Sequence, residues 1–227
     1  MLLQIPDILN EAELKQATEL LSMANWTDGR TTAGPQAASV KRNEQLPTRG
    51  ESASRLQRLV LAALDRQPLY FAAALPRRVL PPMFNRYAGE ANHYGTHVDQ
   101  AVRRMPDGQG ALRADISCTL FLSDPTSYDG GELVVDDAYG SRSFKLPAGH
   151  LLLYPASSVH QVLPVIRGQR LASFFWIESM VRSAEQRHLL FDFDMQLMRL
   201  RQQLGETSET IALTGTYHNL LRQWADA

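Results

Sequence analysis

A mainly β protein with helices on both flanks is predicted by three features of this 227-residue sequence. Between residues 69 and 180, short apolar runs recur: LYFAAAL, PPMFNRY, DISCTLFLS, GELVV, SRSFKL, HLLLYP, HQVLPV and RLASFFWI. Turn-rich stretches such as DPTSYDGG, AYGS, PAG and RGQ separate them, the pattern of an antiparallel sandwich or barrel. Before this region, and again after it, apolar residues switch to helical spacing.

The elements follow in order. Residues 2–5 read as a short strand and residues 11–24 as a helix. Asn10 stands at its N-cap with Glu13 three positions on, the spacing of a capping box. Leu9 and Leu14 take the staple positions around that cap, and Leu14, Ala17 and Leu21 share one face. Residues 27–50, rich in Gly, Thr, Pro and Asn, read as strands and a long loop. A second helix is expected over 51–66, with Leu56, Leu59, Val60, Ala63 and Leu64 at helical spacing. The tail returns to helix, with a stripe of Leu189, Phe193, Leu197, Leu200 and Leu204. The expected division is an N-terminal support region (1–68), a β core (69–180) and a C-terminal helical extension (181–227).

Composition narrows the function classes. Hydrophobic residues are 44% and charged residues 21%, enough apolar material for a core, and the formal net charge is −1. No block of like charge points to nucleic acid or a membrane surface. The arginines of RQPLYFAAALPRR read as solvated flanks. The single cysteine, Cys118, excludes an internal disulfide framework and reads as a small buried hydrophobe, consistent with a reduced, cytoplasmic setting. MLLQIPDILNEAELK carries Pro6, Asp7, Glu11 and Glu13 where an export signal needs a basic start and an apolar core. No apolar run approaches the ~18 residues of a membrane span.

The chemistry gathers around YGTHVDQ, residues 94–100, and SSVHQV, residues 157–162. On an extended strand, positions i and i+2 share a face, so His97 and Asp99 project side by side. His160, opening a later strand-like run, is the expected third ligand. Two imidazoles and one carboxylate form the facial triad of non-haem Fe(II) oxygenases, which leaves coordination positions open. An H-x-D pair alone is a weak signal. Arg170, ten residues after His160, strengthens it. If HQVLPV and RLASFFW are hairpin strands around RGQ, its guanidinium enters the same interior and can grip a carboxylate with two parallel hydrogen bonds.

Together, Tyr87, His97-x-Asp99, Gly130-Gly131-Glu132-Leu133, PAGHLLLYPASSVHQVLPV and Arg170 resemble the Fe(II)/2-oxoglutarate dioxygenases of the prolyl-4-hydroxylase type. More narrowly, the chain resembles the bacterial PKHD-type hydroxylases essentially from end to end. The resemblance implies a double-stranded β-helix (jelly roll) core. It implies that His97, Asp99 and His160 are the catalytic metal ligands for Fe(2+), and that Arg170 pairs with the distal carboxylate of 2-oxoglutarate. Tyr87, ten residues before His97, is a second cosubstrate-binding candidate. Some relatives carry a further tyrosine on the strand after H-x-D. Here Leu120, Phe121 and Leu122 stand in that region, so that phenolic contact is either absent or comes from Tyr94 or Tyr154. The implied reaction uses dioxygen (O2), converts 2-oxoglutarate to succinate and CO2, and hydroxylates a small-molecule or peptidyl substrate, with L-ascorbate as an auxiliary. The retained Asp99 argues against halogenation. The resemblance also implies a link to iron uptake, without selecting among a siderophore, an amino acid and a protein side chain.

Other polar residues have plainer readings. His93 reads as a solvent-facing loop residue, His150 as a strand cap, and His188 and His218 as tail residues with no metal partner at i+4. Asp192 and Asp194 fall on different helix faces. Asp136–Gly140 is a turn. Ser117 and Thr119 alternate with apolar neighbours and could face the barrel. Residues 100–114 form a long loop beside the metal, a lid or substrate-selecting segment. Arg103 and Arg104 within it either meet an acidic substrate or are solvated. Two further functions stay open: a cupin-like metalloenzyme that does not use 2-oxoglutarate, and a non-catalytic iron-binding sensor. The apolar stripe of the tail serves either a homo-oligomer interface or packing on the protein's own barrel.

Overall fold

A computed structural model describes residues 2–106, 108, 110–137 and 139–226. The chain opens with β1 (Leu3–Ile5) and α1 (Glu11–Ser22). The capping box forms: Asn10 Oδ1 accepts the Glu13 amide at 2.9 Å, and the Glu13 carboxylate takes the Asn10 amide at 3.0 Å. Next come β2 (Thr27–Asp28), a 3-10 turn (Gly29–Thr32), α2 (Pro35–Val40), β3 (Lys41–Arg42) and β4 (Glu44–Gln45). The helices α3 (Glu51–Asp65) and α4 (Pro68–Ala74) follow.

The last of these corrects an expectation, because LYFAAAL is helix and not strand. Pro68 sits in the first turn with its ring-fixed φ, the alanines favour helix, and Leu75 ends the element in the left-handed region at φ 43°. A short apolar run looks alike in either state.

The β region then unfolds as β5 (Pro76–Val79), β6 (Met83–Tyr87), β7 (His93–His97), β8 (Val102–Arg104), β9 (Ala111–Arg113) and β10 (Ile116–Phe121). It continues with β11 (Asp129–Gly130), β12 (Leu133–Asp137), β13 (Gly140–Phe144) and β14 (Leu151–Pro155). It ends with β15 (His160–Val162), β16 (Val165–Arg167) and β17 (Arg170–Ser179). The tail is α5 (Ala184–Leu204) and α6 (Ser208–Trp224).

The larger sheet has the order β1-β14-β10-β17-β6-β4-β2, with β5 also paired to β17; the smaller has the order β13-β12-β15-β7-β3. Between them Tyr87, Phe121, Leu133, Val135, Leu152 and Val162 belong to one buried cluster, so the sheets pack face to face. β10 is buried along its whole length. Ile116, Cys118 and Leu120 join the cluster formed with α1 and α3, while Ser117 and Thr119 border a cavity between the sheets. A strand covered on both faces loses simple hydrophobic alternation. In that outer cluster Leu21, Leu56, Val60 and Leu64 are each buried, worth about 1.5–3 kcal/mol per side chain.

Three further expectations are corrected. HQVLPV and RLASFFW are not hairpin partners: β15 pairs with β7 and β12 in the smaller sheet, whereas β17 pairs with β10 and β6 in the larger. β16 pairs with β11, and Gly168 turns at φ 76°, where a Cβ would meet the Ser127 carbonyl at 2.3 Å. The chain thus crosses from one sheet to the other. Residues 100–114 are not an open loop but carry the β8–β9 hairpin, whose register pairs Arg103 with Leu112. In the tail, Leu190 and Leu197 are buried against Leu75, Val181 and Tyr217, while Leu189 and Leu204 of the expected stripe are 59% and 60% exposed. α5 thus turns its buried face onto α6 and the end of the β region.

Candidate metal centre

The antiparallel register of β7 and β15 sets His160 directly opposite His97, with ring centroids 4.2 Å apart. Asp99 lies two residues past the end of β7 and brings Oδ2 to 3.7 Å from His160 Nε2. One ligand atom from each of the three lies within 4.8 Å of the others, the one such cluster among the described residues. The spacing of the pair and the distant third histidine therefore converge at one point.

Both imidazoles are oriented from behind. His97 Nδ1 lies 2.8 Å from the Gly95 carbonyl, and His160 Nδ1 lies 3.1 Å from the Ser158 carbonyl. A carbonyl only accepts, so each Nδ1 carries a proton and Nε2 is the ring nitrogen left to meet a metal. Such outer contacts fix tautomer and ring orientation in metal sites. Tyr94 stacks on His97 at 3.6 Å, and Tyr154 meets His160 edge-on at 5.2 Å. The phenolic residues named from sequence thus pack on the two histidines.

Ser117 gains a role that its apolar context concealed. Its hydroxyl donates to Asp99 Oδ2 at 2.6 Å, reaching across from the larger sheet. This leaves the carboxylate one committed and one free oxygen. Ser117→Ala is expected to lower divalent-metal affinity by about 10–100-fold with the fold intact, read by competitive chelator titration. An unchanged affinity would show that Asp99 needs no such support.

Burial, and then the neighbouring His160, push the His97 ring down to about 4 from its ordinary value. The folded chain therefore holds this ring neutral where the unfolded chain would protonate it. Between the unfolded value near 6.5 and the folded value near 4, the unfolded state binds more protons. The metal-free protein is expected to keep its full stability above that window and to lose it as pH falls through it. Thermal unfolding from pH 7 to 4 measures this, and His97→Ala should flatten the profile.

Arg170 enters from β17 in the opposite sheet, 1% exposed, with its guanidinium carbon 5.3 Å from the Tyr87 ring and 5.1 Å from the Phe121 ring. Among the described residues its Nε and Nη2 have no hydrogen-bond partner. The Tyr128 phenol faces the guanidinium, but neither closes a well-formed hydrogen bond. A buried, unpaired cation calls for an anion. Gly131, at φ 71°, makes room for this side chain: a Cβ there would stand 2.7 Å from Val165 Cγ2 and 3.2 Å from Arg170 Cδ. Tyr87 is the cross-strand partner of Arg170 and lines the same cavity.

That cavity holds about 730 Å³, counting its open mouth, and contains the three converging side chains with Arg170. One of its walls was not legible in sequence. Thr32, Lys41, Asn43 and Gln45 come from the segment read as strands and loop, and they line the cavity with Asn85 and Phe174. Gly29 permits the close approach, since a Cβ would fall 2.0 Å from Asn43 Oδ1. His93 is not a loop residue: it opens β7, partly buried, with Nδ1 2.9 Å from Asn92 Oδ1. His188 does have an i+4 partner, Asp192 at 3.3 Å, but both are exposed and the pair is a surface contact.

The donor set fits Fe(II): two neutral nitrogens and one carboxylate, with the rest of the coordination sphere facing a cavity. The orphaned guanidinium fits a dicarboxylate cosubstrate. A PKHD-type hydroxylase of Verminephrobacter eiseniae (strain EF01-2) is 59% identical over 226 residues, covering 100% of both chains. The chain belongs to the PKHD-type hydroxylase family. A second PKHD-type hydroxylase, from Nitrosomonas europaea, is 56% identical over 227 residues, again across 100% of both. The family description of the 2OG-Fe(II) oxygenase superfamily matches residues 82–178, and that of the PKHD-type hydroxylase C-terminal domain matches residues 185–226, the α5–α6 pair.

Among solved structures, a Pseudomonas putida prolyl-4-hydroxylase aligns over 78% of this chain and 92% of its own, with TM-score 0.51 and 20% identity. A Trichoplax adhaerens prolyl hydroxylase aligns over 83% and 86%, with TM-score 0.55 and 16% identity. At such identities the likeness speaks for the fold. This PKHD-type hydroxylase is a 2-oxoglutarate-dependent enzyme whose family uses Fe(2+), 2-oxoglutarate and O2. Among the described residues, no helix is long and apolar enough to cross a membrane.

Proposed function

We propose that His97, Asp99 and His160 hold Fe(II) within a double-stranded β-helix, and that Arg170 receives the distal carboxylate of 2-oxoglutarate. The enzyme hydroxylates a small-molecule or peptidyl substrate while 2-oxoglutarate is decarboxylated to succinate and CO2. One observation carries this reading. Two Nε2 atoms and a carboxylate oxygen converge in the same cavity as a buried guanidinium whose Nε and Nη2 have no hydrogen-bond partner among the described residues.

The protein's share of the chemistry is positioning and exclusion of water. The Gly95 and Ser158 carbonyls hold the two rings, Ser117 holds the carboxylate, and the Tyr87 and Phe121 rings flank Arg170. Iron, when bound, supplies the redox chemistry that activates dioxygen. Tyr87 is placed here as a second contact to the cosubstrate, because its ring adjoins Arg170 and lines the cavity. L-ascorbate serves as the auxiliary reductant, and the single buried thiol suits a reducing cytoplasm.

Anaerobic reconstitution with Fe(II), followed by admission of air and 2-oxoglutarate, tests this reading. Succinate is measured with and without a panel of siderophores and peptides. The expected result is iron-dependent succinate formation that a panel member stimulates. Iron binding without any 2-oxoglutarate turnover would favour a sensor instead.

A further inference from the structure

The cavity carries more positive charge than iron and 2-oxoglutarate require. Lys41 is 3% exposed, and its ammonium has one hydrogen bond, to Thr32 Oγ1 at 3.1 Å. Among the described residues no carboxylate lies within 4.0 Å of it. It sits 5.0 Å from the Tyr94 ring and 5.9 Å from the Phe174 ring. Arg103, on β8, stacks its guanidinium 3.9 Å from the Trp176 ring and donates to Gln100 Oε1 at 3.5 Å; it too has no carboxylate within salt-bridge reach among the described residues. Burial of a charge without a counter-ion is costly, and Lys41 carries that cost; the partly buried Arg103 adds a second cation to the same cavity.

Lys41 and Arg103 adjoin rings that lie further along β17 than Arg170. Phe174 and Trp176 are four and six residues beyond Arg170 on β17, roughly 13 and 20 Å along an extended strand. With the site loaded, the doubly charged metal and Arg170 balance Asp99 and the two carboxylates of 2-oxoglutarate. Lys41 and Arg103 remain as surplus. In the same cavity Gln45 Nε2 and Asn85 Oδ1 are buried without partners among the described residues, while Gln45 Oε1 is taken by Thr32 at 2.5 Å. Asn43 reaches only toward the Tyr87 phenol.

We propose that Lys41 and Arg103 bind an anionic group of the substrate that is hydroxylated, and that Gln45 and Asn85 meet amide or hydroxyl groups next to it. The substrate class is thus a polar organic acid, bearing a carboxylate or phosphate. The segment from Thr32 to Gln45 determines specificity. This inference rests on the reading of Arg170 as the 2-oxoglutarate anchor. It assigns the opposite end of the cavity.

The test uses the full chain loaded anaerobically with Fe(II) and 2-oxoglutarate. Matched probes are screened by ligand-observed NMR: N-acetyl amino acids against their C-terminal amides, and phosphate monoesters against the parent alcohols. Acids are expected to bind and their neutral partners to bind at least ~10-fold more weakly. Lys41→Met and Arg103→Gln should each lower acid binding by at least ~10-fold and leave the 2-oxoglutarate dissociation constant unchanged. Arg103 lies on a half-exposed hairpin, so its variant keeps the test valid if Lys41→Met unsettles the wall. Equal binding of amides and acids, no binding by any acid, or acid binding that survives both substitutions overturns the proposal. Failure of the wild-type protein to bind 2-oxoglutarate counts against the cosubstrate assignment instead.

Discussion

Alanine in place of His97 is expected to abolish tight Fe(II) binding and, with it, succinate formation from 2-oxoglutarate. The substitution removes one of three ligand atoms whose only common feature is their meeting point. The loss should exceed the ~10–100-fold that a missing outer contact brings. It should not resemble unfolding, because the ring is neutral and stands at the end of β7 with its neighbours held by the β7–β15 ladder. His93→Ala is the matched control: it also lies on β7, but its ring bonds Asn92 and is not one of the clustered ligands. Equal iron affinity in both variants would remove His97 from the site.

Replacement of Arg170 has an effect of opposite sign on two readouts. Arg170→Met deletes the anchor for the distal carboxylate, and truncation of a buried charge partner costs about 2–5 kcal/mol. That corresponds to a rise in the 2-oxoglutarate dissociation constant of roughly 30-fold to several thousand-fold. Without cosubstrate, however, the native guanidinium is buried with Nε and Nη2 unpaired. An apolar side chain of similar length removes that penalty. The cosubstrate-free variant is therefore expected to melt at a higher temperature than the wild type while binding 2-oxoglutarate far more weakly. Arg170→Lys keeps the charge but loses the fork, and should fall between the two in affinity. A variant that melts lower and binds 2-oxoglutarate normally would make Arg170 a structural residue.

Features with a local signature were legible in the sequence. The Asn10–Glu13 box forms as its spacing requires, and long periodic segments such as α3 and α5 appear as helices. His97 and His160 converge through the cross-strand register of β7 and β15, while Asp99, expected to follow on the same strand, joins them from just past the end of β7. Arg170 reaches the cavity, although by crossing between sheets and not by a hairpin with β15. Strand partnership is set by contacts distant in sequence, and the apolar run alone does not encode it.

The remaining misses have the same origin. Alternation with apolar neighbours indicates that Ser117 could face the barrel, but its partner appears only when the fold brings Asp99 to its hydroxyl. β3 and β4 are two residues each, too short for any period to register, yet they carry Lys41 and Gln45 into the cavity. Nothing in SVKRNE marks Lys41 as buried. Its burial follows from the packing of Thr32, Tyr94 and Phe174 around it.

Anomalous diffraction at the iron edge, from crystals loaded anaerobically with Fe(II) and 2-oxoglutarate, bears most directly on where the chemistry sits. A single peak within bonding distance of His97 Nε2, an Asp99 carboxylate oxygen and His160 Nε2, with a cosubstrate carboxylate on Arg170, is the expected result. Iron bound elsewhere, or 2-oxoglutarate seated away from Arg170, would contradict it.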